Sequence, residues 1–332
     1  MATYHVYGLG AALVDTEIEI DDAFLSSAGI DKGVMTLVDE DRQQEILTAL
    51  SANNIASSRA SGGSACNSVI AASYFGANTF FSGKVANDDN GKFFINDLNA
   101  AGVDFHNAEA DHGTTGKCLV MITPDAERTM NTFLGISEDL SHQEIDFDAI
   151  KQSEYLYIEG YLVTSDSRRV AVVEAREYAQ ANGVKIALSL SDPFVVDFFI
   201  DGLNEIAGNK LDIIFCNKDE ALQFTKTTSI EAAIEVMKTR SNAFAITSGS
   251  EGAWVYDGQE LIHSPAISVQ AVDTNGAGDM FAGAFLYAIT HGHSFEAAAT
   301  LANSCAAKVV SQYGPRLAAD DHQKLKAAWE NS

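Results

Sequence analysis

The chain has 332 residues, 46% apolar and 20% charged, enough for one large α/β core or two smaller ones. Its 21 lysines and arginines against 46 aspartates and glutamates give a net charge of −25, which argues against nucleic acid or an anionic membrane as a standing partner. No run reaches the roughly 18 apolar residues of a membrane span, no secretory leader is present, and Cys66, Cys118, Cys216 and Cys305 lack zinc or disulfide spacing; a cytoplasmic protein with reduced, buried thiols is expected.

In chain order, His5–Gly8 reads as a first strand. The following Gly8-Leu9-Gly10-Ala11-Ala12-Leu13 superficially matches a dinucleotide fingerprint. Leu13 replaces its third glycine, and an alternating strand follows where a helix should start, so NAD binding is rejected. From Val14 to Asp21 the residues alternate strictly, with Asp15, Glu17, Glu19 and Asp21 on one face. With Val34–Val38 and a hairpin over Lys117–Phe133, turning at Thr123-Pro124-Asp125-Ala126, this segment predicts a small sheet with one exposed polar face, standing over the main core as a lid. Such a lid would exclude water from a phosphoryl-transfer site.

Further strands are predicted at Thr79–Ser82, Tyr155–Ile158, Ile186–Leu190, Ile213–Cys216, Phe244–Thr247 and Ala253–Tyr256. Helical patterns alternate with them at Cys66–Phe75, Gly91–Ala101, Ser167–Asn182, Glu231–Thr239, Met280–Ile289 and Ser294–Val310. This alternation predicts a mostly parallel sheet covered by helices on both faces. With no low-complexity linker, residues 1–332 read as one domain, with lid segments near 13–39 and 115–134 inserted in it.

Four loops carry chemistry. Ala60-Ser61-Gly62-Gly63-Ser64-Ala65-Cys66-Asn67 opens a helix; its paired glycines let a ligand approach the backbone, and Asn67 offers a donor and an acceptor to sugar hydroxyls, although a plain capping loop fits equally. Asn217-Lys218-Asp219-Glu220 follows a buried strand, where Glu220 could hold Mg²⁺, directly or through water, and Asn217 could orient phosphate or metal-bound water. Thr247-Ser248-Gly249-Ser250-Glu251-Gly252 closes another strand with small hydroxylic residues suited to a nucleotide phosphate or ribose, or to a simple glycine-rich turn. The richest is Asp273-Thr274-Asn275-Gly276-Ala277-Gly278-Asp279, between the strand-like Ile267-Ser268-Val269 and an apolar helix. Gly276, Ala277 and Gly278 supply backbone N–H groups at a helix N-terminus, a ready anion site. Asp279 beside them is a poor phosphate ligand but a sensible proton acceptor for a hydroxyl attacking that phosphate. The absence of G-x-x-x-x-G-K-[ST] excludes a P-loop.

Taken together, these motifs resemble the PfkB (ribokinase-like) family of carbohydrate and nucleoside kinases over nearly the whole chain. Asp273–Asp279 matches the D-T-x-G-A-G-D signature, Gly62-Gly63 with Asn67 the G-G-x-x-x-N element, and Asn217 with Glu220 the N-x-x-E element; Gly83–Gly91 is similar to the G-x-V-G-x-D-x-x-G that follows the second, with Ala86 for one glycine. The resemblance implies a ribokinase-like three-layer α/β/α fold with a mostly parallel central sheet and a small β-sheet lid. It implies that Asp279 is the catalytic base and that Gly276, Ala277 and Gly278 hold the transferred phosphoryl group. Asp15, Gly62, Gly63 and Asn67 would then bind the acceptor, and Asn217, Thr247, Gly249, Gly252 and Asn303 would lie along ATP, with Glu220 toward Mg²⁺. Many relatives also use a monovalent cation such as K⁺ near the anion hole.

Within the family the middle segments Tyr157–Leu162 and Ser189–Phe194 resemble those of adenosine kinases, and Glu127–Thr132 resembles a lid strand in which Arg128 would steady negative charge. Ala11 stands where nucleoside kinases often carry Asn, which removes one ribose contact. The expected acceptor is therefore an adenosine-like nucleoside or a sugar. The alternatives are a hexose, ribose or 2-keto-3-deoxygluconate kinase, and a non-catalytic nucleotide- or sugar-sensing protein. A monomer or a homodimer would both serve.

Overall fold

Alternate residues of the central strands face opposite ways, and both ways are buried. Tyr155 and Tyr157 join one apolar core with Ile213 and Phe215, while Leu156 and Ile158 join a second with Ile214 and Cys216. A strand apolar on both faces needs helices on both sides, which is the pattern of a parallel sheet inside an α/β protein. The computed structural model describes residues 2–52, 57–106, 110, 112–125 and 127–331.

Its strands are β1 (Tyr4–Leu9), β2 (Leu13–Glu19), β3 (Met35–Leu37), β4 (Ser57–Gly62), β5 (Thr79–Ser82), β6 (Val103–His106), β7 (Thr115–Ile122), β8 (Arg128–Gly135), β9 (Ser153–Glu159), β10 (Lys185–Ser189), β11 (Leu211–Asn217), β12 (Ser241–Thr247), β13 (Ala253–Tyr256) and β14 (Leu261–Ser264). A nine-stranded sheet runs β14-β13-β12-β11-β10-β9-β1-β5-β6, parallel except where β13 pairs with β12 and with β14. One face is covered by α3 (Ser64–Phe75), α4 (Asp89–Ala100), α10 (Ala277–Thr290), α11 (Phe295–Val310) and α12 (Ala319–Glu330). The other carries α5 (Phe147–Lys151), α6 (Asp166–Ala181), α7 (Pro193–Ala207), α8 (Lys218–Thr225) and α9 (Ile230–Arg240). All four cysteines are buried thiols.

The second sheet, β3-β8-β7-β2-β4, is the lid, and α1 (Asp22–Ala28) and α2 (Glu40–Ala52) cover its outer face. Three sequence expectations change here. The polar face of β2 is not an open solvent face: Asp15 is only 7% exposed and turns toward the cleft between the sheets. Ala60–Gly62, read as the start of a helix-capping loop, instead end β4, which pairs antiparallel with β2, so Leu13 lies opposite Gly62. Ile267–Val269 is not a strand; the β13–β14 ladder ends at Ser264, Pro265 has no N–H to extend it, and Ile267 and Val269 remain exposed without a pairing partner. The hairpin joining β7 and β8 forms as expected and closes with Thr123 N–H donating to Glu127 O; Ala126 of its turn lies outside the described residues.

One contact sets the spacing of the helices that frame the cleft. Gly283 of α10 lies against α3 so closely that a methyl there would sit 2.3 Å from Ser68 O and 2.7 Å from Ala71 Cβ. A Gly283→Val variant is expected to lose about 1–3 kcal/mol in urea unfolding, as forced overpacking does. An unchanged midpoint would mean that the two helices can separate without cost.

Candidate active site

Parallel strands present their C-terminal ends along one edge, where open α/β sheets bind ligands. Glu159 ends β9, Ser189 ends β10, Asn217 ends β11 and Thr247 ends β12, with Glu159 beside Ser189 and Asn217 beside Thr247 in the register. The lid stands over this edge and encloses a cleft of about 410 Å³.

The C-terminal wall of the cleft is the loop into α10. Asp273 is fully buried and acts as its pin: Oδ1 accepts from Asn275 N at 2.8 Å and Oδ2 from Gly314 N at 3.0 Å. Gly276 caps the helix with φ +72°, a left-handed conformation that favours glycine, and a methyl there would meet Pro315 O at 2.0 Å. Ala277 and Gly278 open α10, so their N–H groups belong to the first turn, where no intrahelical acceptor exists. Asp279 is third in the helix. Its carboxylate accepts from Ser64 Oγ at 2.6 Å and from Asn67 Nδ2 at 3.0 Å, both on the first turn of α3. Two helix N-termini thus converge on one carboxylate, and burial raises its pKa against the opposing pull of these hydrogen bonds and of Arg128.

Asn67 lines the cleft, and its Oδ1 is buried without a hydrogen-bond partner. Asp15 lies across the same space, and Gly62 is packed so tightly on it that a methyl would fall 2.1 Å from Oδ1. Burial, with the nearby charge of Glu17, pushes the Asp15 pKa up to about 7. Glu159 belongs to none of the motifs read from the sequence. It is fully buried, accepts from Ala11 N at 2.7 Å and Ala65 N at 2.9 Å, and is pushed up to about 7 by burial. Its sequence signal was a carboxylate inside the apolar run Tyr155–Leu162. Arg128, on β8, reaches from the lid to the anion loop, with Nη1 donating to Asn275 Oδ1 at 3.0 Å.

Where β11 meets α8 at the cleft, Asn217 and Glu220 form a capping box. Asn217 Nδ2 donates to Glu220 Oε1 at 2.6 Å and Asn217 N to Oε2 at 2.9 Å, while Glu220 N donates to Asn217 Oδ1. Glu220 is buried and its pKa is pushed up to about 7, burial being the main cause. Thr247 and Gly249 join the lining of the cleft. Three expected residues do not. Gly62 stands behind Asp15, and Gly252 ends a short turn against Ser264. Asn303 commits its amide to Ser264 O, Ser264 Oγ and Pro265 O, pinning a turn instead of facing the cavity.

The model of the pfkB family of carbohydrate kinases matches residues 34–322. The chain belongs to this family. Adenosine kinase 1 of Arabidopsis thaliana is 29% identical over 87% of this chain and 89% of its own length. The 5-dehydro-2-deoxygluconokinase of Halalkalibacterium halodurans is 27% identical over 81% of this chain and 85% of its own. Among solved structures, adenosine kinase from Sinorhizobium meliloti superposes with a TM-score of 0.90 at 35% identity, covering 99% of both chains. A probable sugar kinase from Rhizobium etli CFN 42 superposes with a TM-score of 0.91 at 31% identity, covering 99% of this chain and 100% of its own. This pfkB protein is accordingly a phosphotransferase acting on hydroxyl groups, with the ribokinase-like fold its motifs implied.

The site electrostatics have a pH consequence. Carboxylates raised by burial are protonated at higher pH than free ones, so lowering the pH through about 7 neutralises Asp15, and Asp279 is shifted in the same direction. If both act as anions, kcat/KM for the acceptor should begin to fall on the acid side of about pH 7 as Asp15 is neutralised, with Asp279 adding to the fall above the usual carboxylate range. A profile flat down to about pH 5, below which ordinary carboxylates titrate, would contradict that assignment.

Proposed function

We propose that this kinase transfers the γ-phosphoryl group of ATP to a primary hydroxyl of a nucleoside, acting as one kinase domain with Asp279 as the general base. The observation that carries the reading is the clasp of Asp279 by Ser64 and Asn67 between an anion-binding helix start and an acceptor pocket. In this arrangement the acceptor's ring hydroxyls lie against Asp15 and Asn67 Oδ1, and its CH₂–OH points at Asp279. Asp279 takes the proton while the N–H groups of Gly276, Ala277 and Gly278 hold the charge on the transferred group. Arg128 adds a positive charge from the lid side.

A nucleobase accounts for the rest of the acceptor side. Leu13, Met35, Leu37, Met130 and Leu134 line the cleft from the lid, an apolar wall that suits a flat heterocycle. Ala11 beside them, which lacks a polar side chain, supports the second reading, a sugar acceptor.

Mg²⁺ fits the donor set through water. Both Glu220 oxygens already accept hydrogen bonds from Asn217, and among the described residues no group of three His, Cys, Asp or Glu side chains could hold an ion by itself. A cation bound chiefly by nucleotide phosphates, its waters facing Glu220 and Asn217, matches the preference of Mg²⁺ for retained water and would supply charge neutralisation on those phosphates.

Asp279→Asn provides the test. Asn retains an acceptor for Ser64, and Asn67 can present its unpaired Oδ1 to the new amide, so the fold is expected to persist. The kcat on the best acceptor among adenosine, inosine, ribose, fructose and 2-keto-3-deoxygluconate should drop at least about 10²-fold. Near-normal turnover would remove Asp279 from the base role. Strong turnover on the sugars with none on the nucleosides would favour the second reading.

A further inference from the structure

The segment that follows α11 touches both halves of the cleft. Val272 N–H donates to Val310 O at 2.7 Å, Gly314 N–H to Asp273 at 3.0 Å, and Gly276 rests on Pro315 O. The next residue, Arg316, leaves the anion loop and enters the acceptor side. Its Nη2 donates to Asp97 Oδ2 at 2.7 Å and its Nη1 to Ser61 Oγ at 3.2 Å. Ser61, fully buried in β4, donates its own N–H to the same Asp97 oxygen at 3.1 Å. Ser61 is followed directly by Gly62 and Gly63, and Gly62 is the residue packed on Asp15. Three residues from three parts of the chain therefore fix the backbone behind the acceptor pocket, and none of them lines the cleft.

The charges facing Asp15 give Arg316 a second consequence. Glu17 on its own strand, Glu159 from β9 and Asp279 from α10 all disfavour its ionised form, whereas Arg316 favours it. Cys66 of α3 and Cys118 of β7 adjoin Asp15 as neutral thiols raised by burial, and Arg128 lines the cleft from β8. Arg59 of β4 is turned away to Asn90, and Lys117 of β7 toward Glu40. Stability alone is a weak reason for the Arg316–Asp97 pair, which is partly exposed, since ion pairs open to solvent contribute little.

We propose that Arg316 is a positioning residue for the acceptor, holding Ser61 and Asp97 so that Gly62 backs Asp15, and Gly63 and the Asp15 carboxylate meet the acceptor hydroxyls in register with the anion loop. The proposal rests on the kinase reading of Asp15 and Asp279 given above.

The test compares wild type, Arg316→Met and Arg316→Lys with the acceptor giving the highest kcat/KM and saturating MgATP. Arg316→Met should raise the acceptor KM about tenfold, the scale of a lost hydrogen bond to a charged group, and leave the ATP KM within roughly twofold. The acid limb of its kcat/KM profile should move up by about half a pH unit or more, because the cation near Asp15 is gone. Arg316→Lys should restore the acid limb, which needs only charge, but not the KM, because an ammonium cannot reproduce the forked contact to Asp97 and Ser61. A lower urea midpoint with acceptor KM and acid limb unchanged would reduce Arg316 to a structural residue and overturn the proposal. If Arg316→Met does not fold, Arg316→Lys decides alone: wild-type KM with a lysine there overturns the positioning role. Wild-type protein without turnover on any acceptor would sink the kinase reading, a result distinct from an unaltered KM in an active variant.

Discussion

The site depends on two helix starts sharing one carboxylate. Asp279 on α10 is gripped by Ser64 and Asn67 on α3, and the grip exists because Gly283 lets the two helices meet without an intervening side chain. α3 is entered from the lid through Gly62 and Gly63, and α10 is entered from the loop pinned by Asp273. Holding their first turns together therefore aligns what lies under the lid with what lies beside the anion loop. Burial in that position raises the carboxylate above its ordinary range, while its hydrogen bonds to Ser64 and Asn67 pull the other way and fix its orientation.

The same cleft concentrates negative charge in a chain already at −25. Asp15, Glu159, Glu220 and Asp279 all line it, and all are raised by burial. Backbone N–H groups offset part of this cost at Glu159 and Glu220, and Arg128 and Arg316 supply positive charge from opposite sides. Polyphosphate binding to so acidic a cleft needs neutralisation, which is the part an incoming Mg²⁺ would take. The acidity of the surface therefore says little about the ligand. The arrangement of N–H donors inside says more.

Much of this was legible in the sequence because the decisive elements are local. Apolar runs alternating with helical patterns specified the parallel sheet, and Gly276–Asp279 announced a helix start because such starts follow short-range rules. The family resemblance carried that reading to Asp15 and Asn67, which lie across the cleft from the loop. Other features depended on pairing between distant segments. Ser57–Gly62 carries few strand-forming residues and becomes β4 only because β2 lies beside it. Ile267–Val269 has strand composition, but Pro265 ends the ladder before it. Asn303 has the right residue type on the right helix, and only the turn at Ser264–Pro265 shows where its amide is spent. Glu159 and Arg316 were hidden for the same reason: their partners are far away in sequence.

A crystal structure of the protein with adenosine and a non-hydrolysable ATP analogue with Mg²⁺ tests the central claim most directly. The account requires the acceptor's primary hydroxyl oxygen within about 3 Å of the Asp279 carboxylate, with the terminal phosphate against the N–H groups that start α10. An acceptor bound with that hydroxyl turned away from Asp279, or a terminal phosphate held elsewhere, would contradict it.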